Sequence, residues 1–249
     1  MCIVTTYNYS VGIKYRVNES FFDKWSPTMA YVLGYFYADG SLENADYLRG
    51  RYIRFSSVEK YSLERIRGWL ESEHNIVAGK PTRPNGKTGF LLRIGSHKLF
   101  NALEKRGLYP NKSLTVRFPE IPKKYLKDFV RGYFDGDGCV FLWRTKGKNS
   151  LLILRKLSVI FTSGSKIFLE GLSKKLKKNL DLKQTKTYNS DRAFQLRYAT
   201  EDSIKLFKFM YGGISFGNFF ERKFNIFKKY FGLRPQRSDV IISRIINRM

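Results

Sequence analysis

Apolar residues recur at helical spacing from Thr28 to Ala38 and again from Lys124 to Gly136, and both runs end on an Asp-Gly pair. That pattern predicts two helices that stop abruptly at Asp39-Gly40 and Asp137-Gly138, where glycine can leave the helical conformation. A strand pair follows each helix. Ile53 and Phe55 alternate with Tyr52 and Arg54, and Val159 and Phe161 alternate with Ser158 and Ile160, the period of a half-buried strand. Ser57 or Glu59 then leads into Leu63, Ile66 and Leu70, while Ser163 or Ser165 leads into Leu169, Leu172 and Leu176, each set lining one helix face. A second hairpin brackets Pro84-Asn85-Gly86-Lys87 in one case and Tyr188-Asn189-Ser190-Asp191 in the other, before a closing helix. The predicted order is α-β-β-α-β-β-α, twice: an α+β fold of two pseudo-symmetric half-domains.

The residues themselves repeat. Val32-Leu33-Gly34-Tyr35-Phe36-Tyr37-Ala38-Asp39-Gly40 is echoed by Val130-Arg131-Gly132-Tyr133-Phe134-Asp135-Gly136-Asp137-Gly138. Phe55-Ser56-Ser57-Val58-Glu59-Lys60, through Leu63-Glu64 and Leu70, aligns without a gap on Phe161-Thr162-Ser163-Gly164-Ser165-Lys166, through Leu169-Glu170 and Leu176. Phe90-Leu91-Leu92-Arg93 pairs with Phe194-Gln195-Leu196-Arg197. Three colinear matches at near-constant offset define two copies of one unit, spaced too far apart for a stacked solenoid. The copies are expected at residues 25–120 and 121–232, with an N-terminal extension of residues 1–24 and a C-terminal tail of residues 233–249.

Composition narrows the class. With 249 residues, 43% of them apolar and 16% aromatic, the chain can bury a core of domain size, and disorder is not its default state. Cys2 and Cys139 exclude a disulfide framework, and no Cys/His cluster has metal-ligand spacing, so an intracellular, reducing compartment fits best. Residues Met1 to Ser10 lack the pattern of a secretory signal, and no apolar run is long enough to span a membrane. The net charge of +25, from 46 Lys and Arg against 21 Asp and Glu, predicts a polyanionic partner. A basic surface alone would also suit a ribosome-associated or lipid-binding protein. His74 and His97 are too isolated for a histidine-based nuclease, and Ser173-Lys174-Lys175-Leu176-Lys177-Lys178 reads as a solvated helix face.

The chemistry is carried by the repeated motif. Gly34 and Ala38, like Gly132 and Gly136, are small residues four apart on one helix face, so the two motif helices can touch. Asp39 and Asp137 would then emerge side by side at the helix ends. Two adjacent carboxylates repel unless a divalent cation lies between them, and Mg²⁺ accepts carboxylate and phosphate oxygens together with water. Such a site suits phosphodiester hydrolysis.

At these residues the chain resembles the LAGLIDADG homing endonucleases, in the single-chain form with two motif copies, over roughly residues 25 to 231. The resemblance implies a monomeric, intron-homing type of endonuclease that binds double-stranded DNA and cuts a long site to leave short staggered ends. It implies Mg²⁺ as cofactor, Mn²⁺ as a substitute, and Ca²⁺ as an ion that supports binding without cleavage. The metal ligands it carries over are Asp39 and Asp137 with the backbone carbonyls of Ala38 and Gly136. The family's basic residue, in the loop before the last helix of each half, is matched by Lys112 and Lys223, and its variable polar residue after the second strand by Glu59 and Ser165. Tyr37 and Arg131 depart from the usual sixth and second motif positions, which belong to helix packing and its rim.

A twisted, saddle-shaped antiparallel sheet from each half would lie along the major groove. Candidate contacts are Arg49, Arg51, Arg54, Arg83 and Lys87 in the first half, and Arg144, Lys146, Lys148, Lys156, Lys186 and Arg192 in the second. The halves differ at nearly every one, so an asymmetric target is expected. An RNA-splicing maturase, with RNA as its partner, or a non-cleaving DNA-binding protein is the alternative on the same fold. Both carboxylates are intact, which favours the enzyme, and Met1 in place of a splice-junction Cys disfavours an intact intein.

Overall fold

The computed structural model describes residues 15–45, 50–79, 86–146, 152–183, 186–214 and 219–248. The first half runs α1 (Pro27–Asp39), β1 (Gly40–Ala45), β2 (Gly50–Ser57), α2 (Lys60–Trp69), β3 (Ile76–Ala78), β4 (Phe90–Gly95) and α3 (His97–Glu104). The second repeats the order as α4 (Leu126–Asp137), β5 (Gly138–Lys146), β6 (Leu152–Ser163), α5 (Lys166–Leu180), β7 (Thr187–Ser190), β8 (Ala193–Tyr198) and α6 (Thr200–Tyr211). Two further helices follow, α7 (Glu221–Leu233) and α8 (Val240–Arg248). The four-stranded sheets have the same antiparallel order, β1-β2-β4-β3 and β5-β6-β8-β7. The expected α+β architecture of two like halves is therefore the one observed.

Local sequence explains the motif helices. Ser26 caps α1, its hydroxyl accepting from the Met29 amide at 3.0 Å, and Pro27 supplies a pre-set first helical residue. Every residue from Met29 to Tyr37 is buried, as in a helix wholly inside a core, and α4 is buried likewise from Phe129 to Asp135. The helices touch backbone to backbone. A Cβ on Gly34 would overlap the Phe129 carbonyl, and one on Gly132 would overlap the Tyr31 carbonyl, a reciprocal pair that marks the pseudo-twofold axis. Gly136 faces Ala38 in the same way.

The stop at each Asp-Gly pair has a different cause from the one expected. Gly40 and Gly138 sit at φ −94° and −87°, extended conformations open to any residue. Glycine is required there for space, because a Cβ would run into the side chain and carbonyl of Phe36 or Phe134. A second correction concerns the hairpin turn at Tyr188-Asn189-Ser190-Asp191. Tyr188 to Ser190 belong to β7, and the Ser190↔Ala193 pairing leaves Asp191-Arg192 as the two-residue turn, with Arg192 at φ +56°.

Each sheet packs one face on the helices. Ile53, Phe55, Leu92 and Ile94 point into the core, as do Val140, Leu157, Val159, Phe161, Leu196 and Tyr198, while the alternate residues form an open face. The helices α2 and α5 cover the inner faces through Leu63, Ile66 and Leu70 and through Leu169, Leu172 and Leu176. Segments outside the repeat also join this core. Phe22 is buried and the chain beside it pairs with the first half through Asn18 N to Leu70 O at 2.9 Å; Ile242 and Ile245 of α8 are buried on the far side.

Candidate functional site

Asp39 and Asp137 are the last residues of α1 and α4, brought together by the glycine contacts above. The Asp39 carboxylate lies against the opposite helix, its Oδ2 at 3.2 Å from where a Gly136 Cβ would stand. Both carboxyls are held above the usual range. For Asp39 the cause is burial, opposed by the charges of Lys223 and Lys112 and by the Tyr35 hydroxyl. Asp137 is pushed from 3.8 up to about 6, by burial first and then by the negative charge of Asp39, with Lys112 and Lys223 opposing.

Two buried lysines flank the pair. Lys112 donates to the Tyr37 carbonyl at 3.1 Å. Lys223 donates to three carbonyls at the end of α4, Phe134 at 2.6 Å, Asp135 at 2.7 Å and Gly136 at 3.0 Å. The Tyr37, Asp135 and Gly136 carbonyls thus find in an ammonium the donor that the helix end withholds, and the Phe134 carbonyl shares Lys223 with the Gly138 amide, all at the negative pole of the helix. The charges cross over: Lys223 is the strongest cation acting on Asp39, and Asp137 is the strongest anion acting on Lys112. Burial pushes Lys112 down to about 8 and lowers Lys223 as well.

Their places in the fold differ from the expected loop before a closing helix. Lys112 opens a 3-10 turn (Lys112–Leu114) after α3, and Lys223 lies in the first turn of α7. The structure brings Asp39, Asp137, Ala38 and Gly136 together at the helix ends with both lysines. The Gly136 carbonyl, one of the expected metal ligands, already accepts from Lys223, so a cation there would share that oxygen with an ammonium. Two ionisable carboxylates and backbone carbonyls are a hard oxygen donor set, which fits a divalent cation of the Mg²⁺ type.

Sequence reasoning missed a buried polar brace behind the site. Asp135 accepts from the Tyr31 hydroxyl of the opposite helix at 2.7 Å and from the Phe220 amide at 2.8 Å. Arg131 is buried beside it, paired with Asp128 at 2.9 Å and donating to the Met210 carbonyl at 2.9 Å. Tyr37 donates to the Arg106 carbonyl at 2.6 Å. The motif tyrosines Tyr35 and Tyr133 tie each helix to its own sheet, through Ser56 O at 3.0 Å and Thr162 O at 2.6 Å.

The polar residues after β2 and β6 separate in role. Ser165 is buried, caps α5 by accepting from Phe168 N and donates to Val116 O at 2.7 Å, so its hydroxyl is held within the fold. Glu59 instead accepts from Arg222 Nε at 2.7 Å, across the halves. That pair borders a cleft of about 610 Å³ that also contains Asp39, Gly136 and the open-face residues Arg54 and Leu91.

The candidate contact residues do not share one surface. Arg54 is on the open face of the first sheet, and Lys156 on that of the second, opposite Trp143. Lys87, Lys186 and Arg192 are exposed in or beside strand connections. Arg51 is a correction. It alternates with Arg54 and so faces the helices, where it lies over Phe100 at 5.1 Å and 3.9 Å from Glu104. Arg144 and Lys146 are exposed but alternate with Trp143, past a register shift between Trp143 and Arg144, and so leave the strand on its other side. Arg49, Arg83 and Lys148 lie outside the described residues.

One measurement reads the carboxylate environment without any activity. In chelator, folded Asp137 holds a proton up to about pH 6 that the unfolded chain releases near 3.8, so stability falls as pH rises through that window. Asn does not titrate. Asp137→Asn is therefore expected to match the wild type near pH 4 and to exceed it above pH 6 by on the order of 2 kcal/mol in urea unfolding. A difference independent of pH would contradict the assigned environment.

Residues 124–212 match the family model described as the LAGLIDADG-like domain. Among solved structures, the chain superposes on the I-LtrWI LAGLIDADG homing endonuclease bound to target DNA with a TM-score of 0.57 and 16% identity, over 93% of this chain and 98% of that one. It superposes on I-SmaMI, bound to an uncleaved DNA target in the presence of calcium ions, with a TM-score of 0.55 and 13% identity, over 89% and 97%. An alignment of 158 positions with the probable translation initiation factor IF-2 of Methanocaldococcus jannaschii is 29% identical; it covers 58% of this chain but only 13% of that protein's length. The chain has the LAGLIDADG homing endonuclease fold in its single-chain, two-motif form, and its second half carries a LAGLIDADG-like domain. Among the described residues no helix is long and apolar enough to cross a membrane.

Proposed function

We propose that this chain is a site-specific double-stranded DNA endonuclease of homing type, acting as a monomer on a long asymmetric site. The observation that carries the reading is the juxtaposition of Asp39 and Asp137, one from each half, at the touching ends of α1 and α4 between two buried lysines. Asp39 and Asp137, with the Ala38 and Gly136 carbonyls, would hold Mg²⁺, whose chemistry when bound would be activation of a water and charge stabilisation at the leaving oxygen.

The chain's own residues supply the rest. Lys112 and Lys223 hold the ends of the motif helices and offset the paired negative charge, keeping two carboxylates ionisable in a buried place. The open faces of two sheets of like strand order, within a net charge of +25, offer the duplex one support from each half. One carboxylate per half gives each strand its own nearest acid. That arrangement favours cuts on both strands, offset across the groove.

The test is selection from a randomised duplex library with Mg²⁺ and, separately, with Ca²⁺. One long, non-palindromic sequence is expected to be cut to short staggered ends with Mg²⁺ and bound uncut with Ca²⁺. Enrichment of a duplex that neither Mg²⁺ nor Mn²⁺ converts to product would replace the enzyme by a non-cleaving DNA-binding protein. Enrichment of no duplex would overturn DNA recognition itself.

A further inference from the structure

The pseudo-twofold axis allows the two open faces to be compared position by position. Gly40 pairs with Phe55 as Gly138 pairs with Phe161, so Glu43 corresponds to Phe141, Ala45 to Trp143, Arg54 to Ile160 and Arg93 to Arg197. On the first sheet Glu43, Arg54 and Arg93 make a charged cluster. Arg93 grips Glu43 through two nitrogens at 2.8 and 3.1 Å and stacks on Tyr52 at 3.4 Å, while Arg54 lies 3.6 Å from the same carboxylate.

On the second sheet the carboxylate and one arginine are gone. Phe141 and Trp143 stand there instead, 45% and 44% exposed, with Ser158 and Lys156 opposite them on β6 and Ile160 two residues beyond Ser158. The rings pack edge to face at 4.7 Å, so they form one surface rather than two mobile side chains. The indole N–H is engaged by Ser158 Oγ at 3.2 Å, which leaves the apolar part of the ring outward. Large aromatics this exposed cost free energy in water unless something covers them.

On the reading of the chain as a major-groove DNA binder, we infer that Phe141 and Trp143 read thymine by its 5-methyl group. The major groove presents hydrogen-bonding edges at every base pair but only one apolar feature, that methyl. An aromatic surface without a free donor or acceptor can distinguish nothing else there. Lys156, across the ladder from Trp143, supplies the positive charge that seats such a surface against phosphates. At the matching positions the first sheet carries the Glu43, Arg54 and Arg93 cluster in place of that apolar surface. The methyl contact is thus expected in one half-site only.

The experiment takes the duplex selected above and replaces each thymine in turn by deoxyuridine, which removes the methyl and keeps the Watson–Crick edge. Binding is measured with Ca²⁺, which separates recognition from cleavage. Weakening of about fivefold or more is expected at one or a few neighbouring positions in one half-site only, and Phe141→Ser and Trp143→Ser should each bring thymine and uracil to equal affinity there. Circular dichroism and unfolding midpoints confirm that each variant is folded, and either variant suffices. Uracil without effect on a duplex that is bound tightly, or a penalty that survives in both variants, overturns the inference while leaving DNA binding intact. Concentration-dependent dimers abolished by Trp143→Ser would assign the patch to a second copy of the chain and also overturn it. Failure to select any duplex removes the parent reading and this one together.

Discussion

Asp39→Asn and Asp137→Asn each lower duplex cleavage by about a thousandfold or more while leaving binding to the same duplex within a few-fold of the wild type. The substitution keeps the shape and hydrogen-bonding reach of each side chain and removes only its charge. Because both carboxyls are already held toward their neutral forms by burial, neither helix end depends on the negative charge for its packing. The variants therefore fold, and any lost activity belongs to the site. The single variants should be nearly as inactive as the double, since a cation between two carboxylates loses its site when either charge goes. Product formation on supercoiled and linear targets with Mg²⁺, alongside binding with Ca²⁺, measures both halves of the claim. Cleavage by both single variants at wild-type rate would sink the assignment of these residues.

The parts of this site that the sequence made legible are those written twice in local residues. The Asp-Gly pairs, the small residues four apart and the strand and helix periods recur in both halves, and duplication separates a designed position from a chance one. Resemblance points to Lys112 and Lys223, but not to their carbonyl partners, because each bond joins residues far apart in the chain and has no local period. The same holds for Asp135, whose acid is visible in the motif while its partners Tyr31 and Phe220 are set only by helix packing. Arg51, a candidate DNA contact by its charge, turns to the helices, and the strand period carries that signal: it stands two residues before Ile53 and shares its side. Glu59 and Ser165 occupy matching positions in the repeat yet differ in use, because only Glu59 is met by a cation from the other half.

Gly132→Ala, and with it Gly34→Ala, should be the most destabilising alanine substitutions among the described glycines, costing roughly 3–5 kcal/mol each and in Gly132 abolishing the cooperative urea transition at elevated temperature. The reason is what the methyl would meet. At both positions it overlaps a backbone carbonyl of the opposing motif helix, which cannot rotate aside as a side chain can. Relief requires the helices to separate. Separation breaks the Tyr31–Asp135 bond between them and moves apart the carboxylates that the contact brings together, so cleavage should fall even at temperatures where the variant stays folded. Position, and not the loss of a helical glycine, makes the effect. Gly68 of α2 and Gly232 of α7 have nothing within 4 Å of a Cβ, and alanine there should be neutral or stabilising by about 0.5–1 kcal/mol. Unfolding midpoints for the four alanine variants test the contrast directly. Equal midpoints across the set would mean that the motif helices do not pack through their glycines, and the approach of Asp39 to Asp137 would lose its cause.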